Sequence, residues 1–206
     1  MTANSCWAVL PAAGSGRRMA AEIPKQYLEV AGATLLEHSL RALLACADIR
    51  AVAVVLDPSD RRNDKVAAVL NDARVRTAAG GAERADSVAA GLAALAGEAA
   101  ADDWVLVHDA ARPCVGVASI MQLIEAVTSE GVGGILAEPL VDTLKRGDDT
   151  GRVVETLDRR QLWRAQTPQM FRLGELGKAL TEARRQGAVI TDEASAMELA
   201  RHPVKL

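Results

Sequence analysis

Short runs rich in Val, Leu and Ala recur along this chain with amphipathic stretches between them, and this alternation constrains the fold most strongly. The runs lie at residues 8–10, 51–56, 74–78, 104–107 and 134–137. Strands that alternate with helices predict βα units, and therefore an α/β fold with a mainly parallel, twisted sheet and flanking helices. Because 206 residues can bury one substantial core, we expect a single domain over residues 1–206.

The amphipathic stretches carry apolar residues at a spacing of three or four, which predicts helices. These stripes lie at residues 36–44, 88–95, 120–127 and 173–180. We expect capping boxes at Thr34 with Glu37 and at Ser119 with Gln122 to open two of these helices. A further helix is expected to start at Asp57-Pro58, since proline is tolerated in a first helical turn.

One stretch, residues 138–162, departs from the alternation. Two strand-like runs at 140–145 and 152–157 flank a polar turn at 147–151, which predicts a β-hairpin. An isolated hairpin is only marginally stable in water. We therefore expect this arm to pack on a partner chain or to form a lid.

Composition excludes several classes of protein. A formal charge of −3 and a pI near 5.7 argue against a nucleic-acid surface, which would need clustered Lys and Arg. No apolar run approaches the ~18 residues that span a membrane, and no secretory signal is apparent, so we expect no membrane partner and a cytoplasmic location. The unpaired spacing of Cys6, Cys46 and Cys114 predicts buried thiols, not metal ligands.

The first predicted strand leads directly into the sequence PAAGSGRRM at residues 11–19. Small residues allow close approach of the backbone to phosphate, and two arginines add charged donors. The spacing matches neither the dinucleotide fingerprint nor the P-loop. An ordinary strand-to-helix turn with solvated arginines is the alternative.

Lys25 follows this loop within a few residues. Its ammonium group could stabilise negative charge on a phosphorus in the transition state; the alternative is an ordinary surface lysine.

Two later loops also follow predicted strands, and the first of them is expected to share one crevice with the loop at residues 11–19. In GGAERADS, at residues 80–87, the Gly81 main chain could meet a base and Ser87 could donate or accept; the alternative is helix capping. Asp109 comes just after the strand at 104–107, where a carboxylate suits Mg²⁺, with a turn residue or cap as the alternative. Its neighbour His108 is interpreted as a hydrogen-bonded structural histidine.

The remaining polar motifs lie in or beside the arm and near the end of the sequence. Thr143 and Arg159 could clamp a second phosphate, although a solvated salt bridge is the alternative for Arg159. Residues 191–193 could form an ordinary helix cap. No nucleophile elbow is present in the sequence.

Seven motifs occur in order along nearly the whole chain: PAAGSGRRM, PKQY, GGAERADS, VHDAARP, DT at 142–143, LDRRQLW with TPQ, and ITDEAS. Together they resemble the 2-C-methyl-D-erythritol 4-phosphate cytidylyltransferase family. The resemblance implies a Rossmann-like nucleotidyltransferase fold and a homodimer interlocked through the arm at about residues 138–162. It also implies transfer of CMP from CTP to methylerythritol phosphate in non-mevalonate isoprenoid synthesis, with pyrophosphate released and Mg²⁺ or another divalent cation required.

The resemblance also assigns roles to individual residues. A catalytic set would comprise Arg18, Lys25 and Arg159, of which Arg18 and Lys25 would stabilise the transition state. A nucleotide set would meet cytosine, ribose or phosphate: Ala12, Ala13, Gly14, Gly81, Ala82 and Ser87. Asp109 would lie at the metal and the triphosphate. An acceptor set would serve methylerythritol phosphate: Arg112, Thr143, Arg159 and Thr191. Thr143 and Arg159 would reach the neighbouring subunit's site.

Two departures from the family pattern bear on the site. Ala82 replaces a frequent Asp, so a side-chain contact to the base is lost while a main-chain contact survives. Family members also continue past the position of Leu206, through a strand with another site lysine and a closing helix. The alternatives are a sugar-1-phosphate nucleotidyltransferase and, if that segment is absent, a non-catalytic nucleotide-binding protein.

Overall fold

The computed structural model describes residues 6–14 and 23–206. The strands are β1 (Cys6–Pro11), β2 (Glu29–Val30), β3 (Ala33–Thr34), β4 (Ile49–Leu56), β5 (Val75–Ala79), β6 (Trp104–Val107), β7 (Gly134–Pro139), β8 (Lys145–Gly147), β9 (Val153–Thr156) and β10 (Trp163–Arg172). The α-helices are α1 (Leu35–Leu44), α2 (Ala67–Leu70), α3 (Arg84–Leu95), α4 (Val117–Glu130), α5 (Leu173–Arg185) and α6 (Glu193–Leu199). Short 3₁₀ helices span Lys25–Tyr27 and Arg61–Val66.

Six strands form the central sheet in the order β5-β4-β1-β6-β10-β7. Strands β5, β4, β1 and β6 are parallel, whereas β10 pairs antiparallel with both β6 and β7. Strand β7 therefore runs in the same direction as β6. The predicted mainly parallel sheet with flanking helices is confirmed, with one antiparallel strand inserted in it.

Helices cover both faces of the sheet, as alternation along β1 shows. Ala8 and Leu10 pack in the cluster that includes the apolar sides of α1 and α4, whereas Trp7 and Val9 pack in the cluster that includes α3, α5 and α6. All four side chains are at most 3% exposed. A sheet buried on both faces needs apolar residues at successive positions, which explains the continuous hydrophobic runs of the sequence.

The five strands predicted for the sheet are confirmed within two residues at each end, but two predicted helix starts are wrong. Thr34 accepts from the Glu37 backbone and the Glu37 carboxylate accepts in return, so the first capping box is present. No such box opens α4, which begins at Val117 with Gly116 as its N-cap.

The Asp57-Pro58 motif does not start a helix either. The Asp57 carboxylate accepts from the backbone N–H and hydroxyl of Ser59 at 2.9 and 2.7 Å, which closes a local turn. The 3₁₀ helix begins later, with Asp60 as its side-chain cap.

Strand β10 was not predicted, and the strands of the hairpin are shorter than expected. The polar start of β10 and Pro168 within it both disfavour a strand. The structure accommodates Pro168 where the pairing with β7 shifts register, between Ala165 and Gln169. In the arm, only β8 and β9 pair as strands, and all of their residues are exposed.

Among residues 6–14 and 23–206, no helix combines the length and the apolar character that crossing a bilayer requires.

The cysteines differ in exposure, which predicts different reactivity. Cys6 and Cys46 are buried, but Cys114 is exposed, so the expectation of three buried thiols is wrong for Cys114. Burial raises the pKa of the Cys6 thiol to about 12, which suppresses the reactive thiolate. In the native protein, a thiol reagent at pH 8 is expected to modify Cys114 rapidly and the other two only on unfolding. Rapid labelling that persists in Cys114→Ser would contradict this burial.

Candidate active site

The loops singled out in the sequence meet at one edge of the sheet. Strands β1, β4, β5, β6 and β7 run in one direction, so their carboxyl ends lie at this edge. The arm leaves from the same edge, because it joins the end of β7 to the start of β10. This placement is the usual position of a ligand site in an open α/β sheet.

The first loop is held by the side chain of Gln26. Its amide nitrogen donates to the carbonyl oxygens of Ala12 at 2.7 Å and Gly14 at 2.9 Å. The Ala12 N–H donates to the Val55 carbonyl at 2.7 Å. Residues 15–22 lie outside the described part of the chain, and with them Arg18. The described start of the loop is therefore fixed by hydrogen bonds before it reaches the glycine-arginine segment.

The second loop packs directly against the first. A Cβ atom added at Gly80 would lie 2.2 Å from Ala13 Cβ and 3.0 Å from Ser87 Oγ, so only glycine allows this approach. The Gly81 N–H donates to Ser87 Oγ at 3.3 Å. The two loops therefore pack against each other, and Gly81 and Ser87 lie beside the contact with Ala13.

The alternative interpretation of the second loop also has support. The Asp86 carboxylate accepts from the Glu83 backbone N–H at 3.2 Å, which caps α3. Asp86 therefore caps the helix, while the Ser87 hydroxyl accepts from the Gly81 N–H. Ala82 is exposed between them.

Lys25 lies beside the first loop, because it precedes Gln26 in the same 3₁₀ helix. No hydrogen bond or ion pair joins its ammonium group to another residue of the described ranges. Close by, a cavity of about 710 Å³ opens along Ala13, Gly14 and Gln26 and extends to residues 57–62.

Asp109 lies between two arginines. Its Oδ1 atom accepts from Arg84 Nη2 at 3.0 Å, and its Oδ2 atom accepts from Arg112 Nε at 3.0 Å. Burial alone would raise the pKa of the Asp109 carboxyl, but the two guanidinium groups hold it below its ordinary value. Asp109 is therefore a carboxylate at neutral pH.

Arg84 also contacts Glu193, the first residue of α6. Two guanidinium nitrogens of Arg84 donate to the two carboxylate oxygens, Nη1 to Oε1 and Nη2 to Oε2. The Glu193 side chain is 1% exposed. Burial raises its pKa, an effect that the charge of Arg84 opposes. This pair connects α3, α6 and the loop after β6.

His108 and Thr167 support the backbone of the same loop. His108 Nδ1 lies 2.9 Å from Thr167 Oγ1, and its Nε2 lies 3.1 Å from the Arg112 carbonyl. Burial lowers the pKa of His108. The structural interpretation of His108 is confirmed, and Thr167 Oγ1 also accepts from the Asp109 N–H at 3.3 Å.

Thr191 precedes α6, whose first turn is anchored at the site. The Asp192 carboxylate accepts from the Ser195 N–H at 2.9 Å, so the helix-cap interpretation is confirmed for Asp192. Gln169 bridges this turn, since its amide donates to Asp192 and accepts from the Ala194 N–H. Thr191 thereby lies two residues from the buried Glu193.

Thr143 and Arg159 lie in the arm, apart from the Asp109 cluster. One guanidinium nitrogen of Arg159 donates to the Val141 carbonyl. Among the described residues, no hydrogen bond or ion pair connects Thr143 or Arg159 to Asp109 or Arg112. Within one chain, the structure does not bring these two residues into the site.

Asp109 supplies one carboxylate that a divalent cation could share with bound phosphates. Over the described residues, no group of three or more His, Cys, Asp or Glu side chains is arranged to hold a metal. Mg²⁺ commonly binds through one or two carboxylates together with substrate phosphates and water. An ionised Asp109 whose side chain is 31% exposed suits that mode.

Four residues at this edge were not identified as site residues from the sequence. They are Gln26, Arg84, Thr167 and Glu193. Arg84 and Glu193 stand in motifs that were noted, GGAERADS and ITDEAS. No local signal, however, shows that residues 109 positions apart form an ion pair.

Known proteins match this chain over nearly all of its length. The profile of the 2-C-methyl-D-erythritol 4-phosphate cytidylyltransferase family matches residues 6–206. A protein of that name from Ectopseudomonas mendocina (strain ymp) is 53% identical over 93% of this chain and 82% of its own length. A namesake from Pseudomonas putida is 52% identical over the same shares.

Solved structures match the fold with similar coverage. A crystal structure named 4-diphosphocytidyl-2C-methyl-D-erythritol synthase superposes with a TM-score of 0.83 at 39% identity, covering 99% of this chain and 89% of the other. The 2-C-methyl-D-erythritol 4-phosphate cytidylyltransferase of Francisella tularensis gives 0.82 at 36% identity, covering 98% and 89%.

Proposed function

Because the chain belongs to the 2-C-methyl-D-erythritol 4-phosphate cytidylyltransferase family, we propose that it transfers CMP from CTP to 2-C-methyl-D-erythritol 4-phosphate. One observation carries this most directly. The glycine loop at residues 80–81, packed against Ala13 of the first loop, and an ionised Asp109 flanked by arginines share one sheet edge. Such a site can hold two polyanions close together.

The chemistry requires no protein nucleophile. A phosphate oxygen of the acceptor attacks the α-phosphorus of CTP, a new P–O bond forms, and the bond to the β-phosphate oxygen breaks to release pyrophosphate. The acceptor oxygen is already anionic, so alignment and neutralisation of negative charge supply most of the rate. Lys25 is well placed for that role beside the first loop, and Arg18 is assigned it by the family pattern.

The two substrates are assigned to different parts of the edge. Ala12, Ala13 and Gly14 with Gly81, Ala82 and Ser87 would bind the cytidine and the phosphate chain. Arg112 and Thr191 would bind the acceptor phosphate or its surroundings. Mg²⁺, bound through Asp109 and the triphosphate, would supply charge neutralisation; other divalent cations with oxygen ligands are possible.

The arm is proposed to join two copies of the chain. Apolar side chains in and beside it are exposed, including Val141 at 71% and Val153 at 65%. A two-stranded hairpin with such residues in water is marginal, and a second copy would cover them. Residues 1–206 would then act as one nucleotidyltransferase domain with an arm at about 138–162 that carries Thr143 and Arg159 into the neighbouring site. The cytoplasmic location stays a prediction.

Pyrophosphate release with a panel of substrates tests the proposed reaction. We expect release only when CTP and methylerythritol phosphate are both present, and loss of release in EDTA. UTP or GTP with glucose 1-phosphate should give no signal. Faster release with a sugar 1-phosphate would favour a sugar-1-phosphate nucleotidyltransferase, and tight CTP binding without turnover would favour a non-catalytic binding protein.

Gly80 gives a test of the nucleotide crevice. Gly80→Ala places a methyl group against Ala13 and should push the two loops apart. Overpacking of this kind costs about 1–3 kcal/mol. If about 1.4 kcal/mol of this overpacking cost is lost from the free energy of CTP binding, the Kd for CTP rises about tenfold. Calorimetric titration measures this, with Gly97→Ala as the matched control, because Gly97 has open space around its added Cβ. An unchanged Kd in Gly80→Ala would contradict the assignment.

A further inference from the structure

Arg84 is oriented by a buried partner and not by Asp109 alone. The guanidinium group presents one fork to Glu193, whose side chain is 1% exposed, and this pairing uses both carboxylate oxygens. The planar guanidinium can satisfy two carboxylates in fixed directions, which a lysine ammonium group cannot. Glu193 therefore sets the plane of Arg84, and that plane directs Nε and Nη2 at Asp109 Oδ1, at 3.3 and 3.0 Å.

The two arginines beside Asp109 differ in how firmly they are held. The Arg112 side chain is 51% exposed, and among the described residues its guanidinium group donates to Asp109 Oδ2 alone. The Arg84 side chain is 35% exposed and bridges two carboxylates from separate parts of the chain. Arg84 is the fixed support of Asp109, whereas Arg112 can turn toward a ligand at little cost.

The charge of Glu193 also matters for a site that must bind polyanions. If Arg84 had no acidic partner, phosphate oxygens of the triphosphate would compete with Asp109 for its guanidinium group. Because Glu193 balances the charge of Arg84, the pair holds Asp109 without adding a net positive charge. The same contact fixes α6, and with it Thr191, relative to Asp109.

We infer that Arg84 and Glu193 form a positioning pair that holds the Asp109 carboxylate in the orientation needed for the metal-bound triphosphate. The inference rests on the proposed function, in which Asp109 meets that complex. Neither residue of the pair needs to touch a substrate.

The test uses Arg84→Lys and Glu193→Gln in the full chain, with two readouts. One is turnover; the other is calorimetric binding of CTP, measured once with Mg²⁺ and once with EDTA. Loss of a group that orients a metal ligand typically costs about 10–100-fold in affinity or activity. We expect kcat to fall by that factor and CTP binding to weaken about tenfold with Mg²⁺ but less than about twofold in EDTA.

Matched controls come from a second bidentate pair far from the site. Arg76 donates to Glu98 at 2.6 and 2.9 Å, and the two side chains are 35% and 44% exposed. Arg76→Lys and Glu98→Gln should leave both readouts unchanged. CTP binding that weakens equally with Mg²⁺ and with EDTA in the Arg84 and Glu193 variants would overturn the inference.

A double variant separates positioning from folding. Replacing a buried ion pair by apolar residues often preserves or increases stability. Arg84→Met combined with Glu193→Met should therefore fold, as shown by its thermal midpoint, yet keep the low kcat and the metal-specific loss of CTP binding. Wild-type turnover in this variant would overturn the inference. A wild-type protein without turnover would instead overturn the proposed function.

Discussion

Lys25→Ala is expected to lower kcat at least ~10²-fold, the usual scale for loss of one group that stabilises transition-state charge. The CTP Kd should change less, because the crevice formed by the two loops remains. Lys25 lies next to Gln26, whose side chain holds the first loop by its carbonyl groups, so the Lys25 backbone is fixed beside that loop. Single-turnover kinetics measures the rate of the chemical step, and calorimetry measures the CTP Kd, so the two effects can be separated.

Lys178→Ala is the control for this substitution, since Lys178 lies on α5, away from the loops at the site edge. It should behave as the wild type. An equal loss in kcat and in CTP binding for Lys25→Ala would mean that Lys25 binds nucleotide and does not selectively stabilise the transition state.

Mixing two inactive variants is expected to restore activity if the arm completes its neighbour's site. One chain carries Lys25→Ala and the other Arg159→Ala. In a heterodimer with exchanged arms, one of the two sites has both residues intact. Random exchange should therefore recover about a quarter of wild-type activity, since half of the dimers are mixed and each has one good site.

The same mixture gives no recovery if Arg159 acts in its own chain, because every site then lacks one residue. Arg160→Ala is the control for the arm, since Arg160 pairs with Asp158 on an exposed surface. On its own, Arg160→Ala should remain active. Failure of the Lys25 and Arg159 variants to complement each other after confirmed exchange would contradict the shared site.

The sequence predicted the parts of the fold that depend on local burial. Strands β1, β4 and β6 are buried on both faces, whereas β5 and β7 at the sheet edges are only partly buried; apolar runs identified all five. Strand β10 could not be found in this way, because its first residues are exposed and Pro168 breaks the expected pattern. Its pairing with β6 and β7 is set by partners distant in sequence.

The candidate site was likewise only partly predictable from the sequence. Glycines at 80 and 81 and the carboxylate of Asp109 were predictable, because loops after parallel strands meet at one edge. The support of Asp109 was not, since Arg84 and Glu193 come together only when α3 and α6 pack on one face of the sheet. The helix start expected at Asp57 failed because a side chain that closes a turn can also resemble a cap.

Phosphorus NMR of CTP mixed with methylerythritol phosphate, Mg²⁺ and the protein tests the proposed reaction most directly. The acceptor's phosphomonoester signal should disappear as a new diphosphate diester and one equivalent of pyrophosphate appear, and Lys25→Ala should slow all three changes together. An unchanged acceptor signal, with CTP either intact or hydrolysed to CMP, would contradict cytidylyl transfer by this protein.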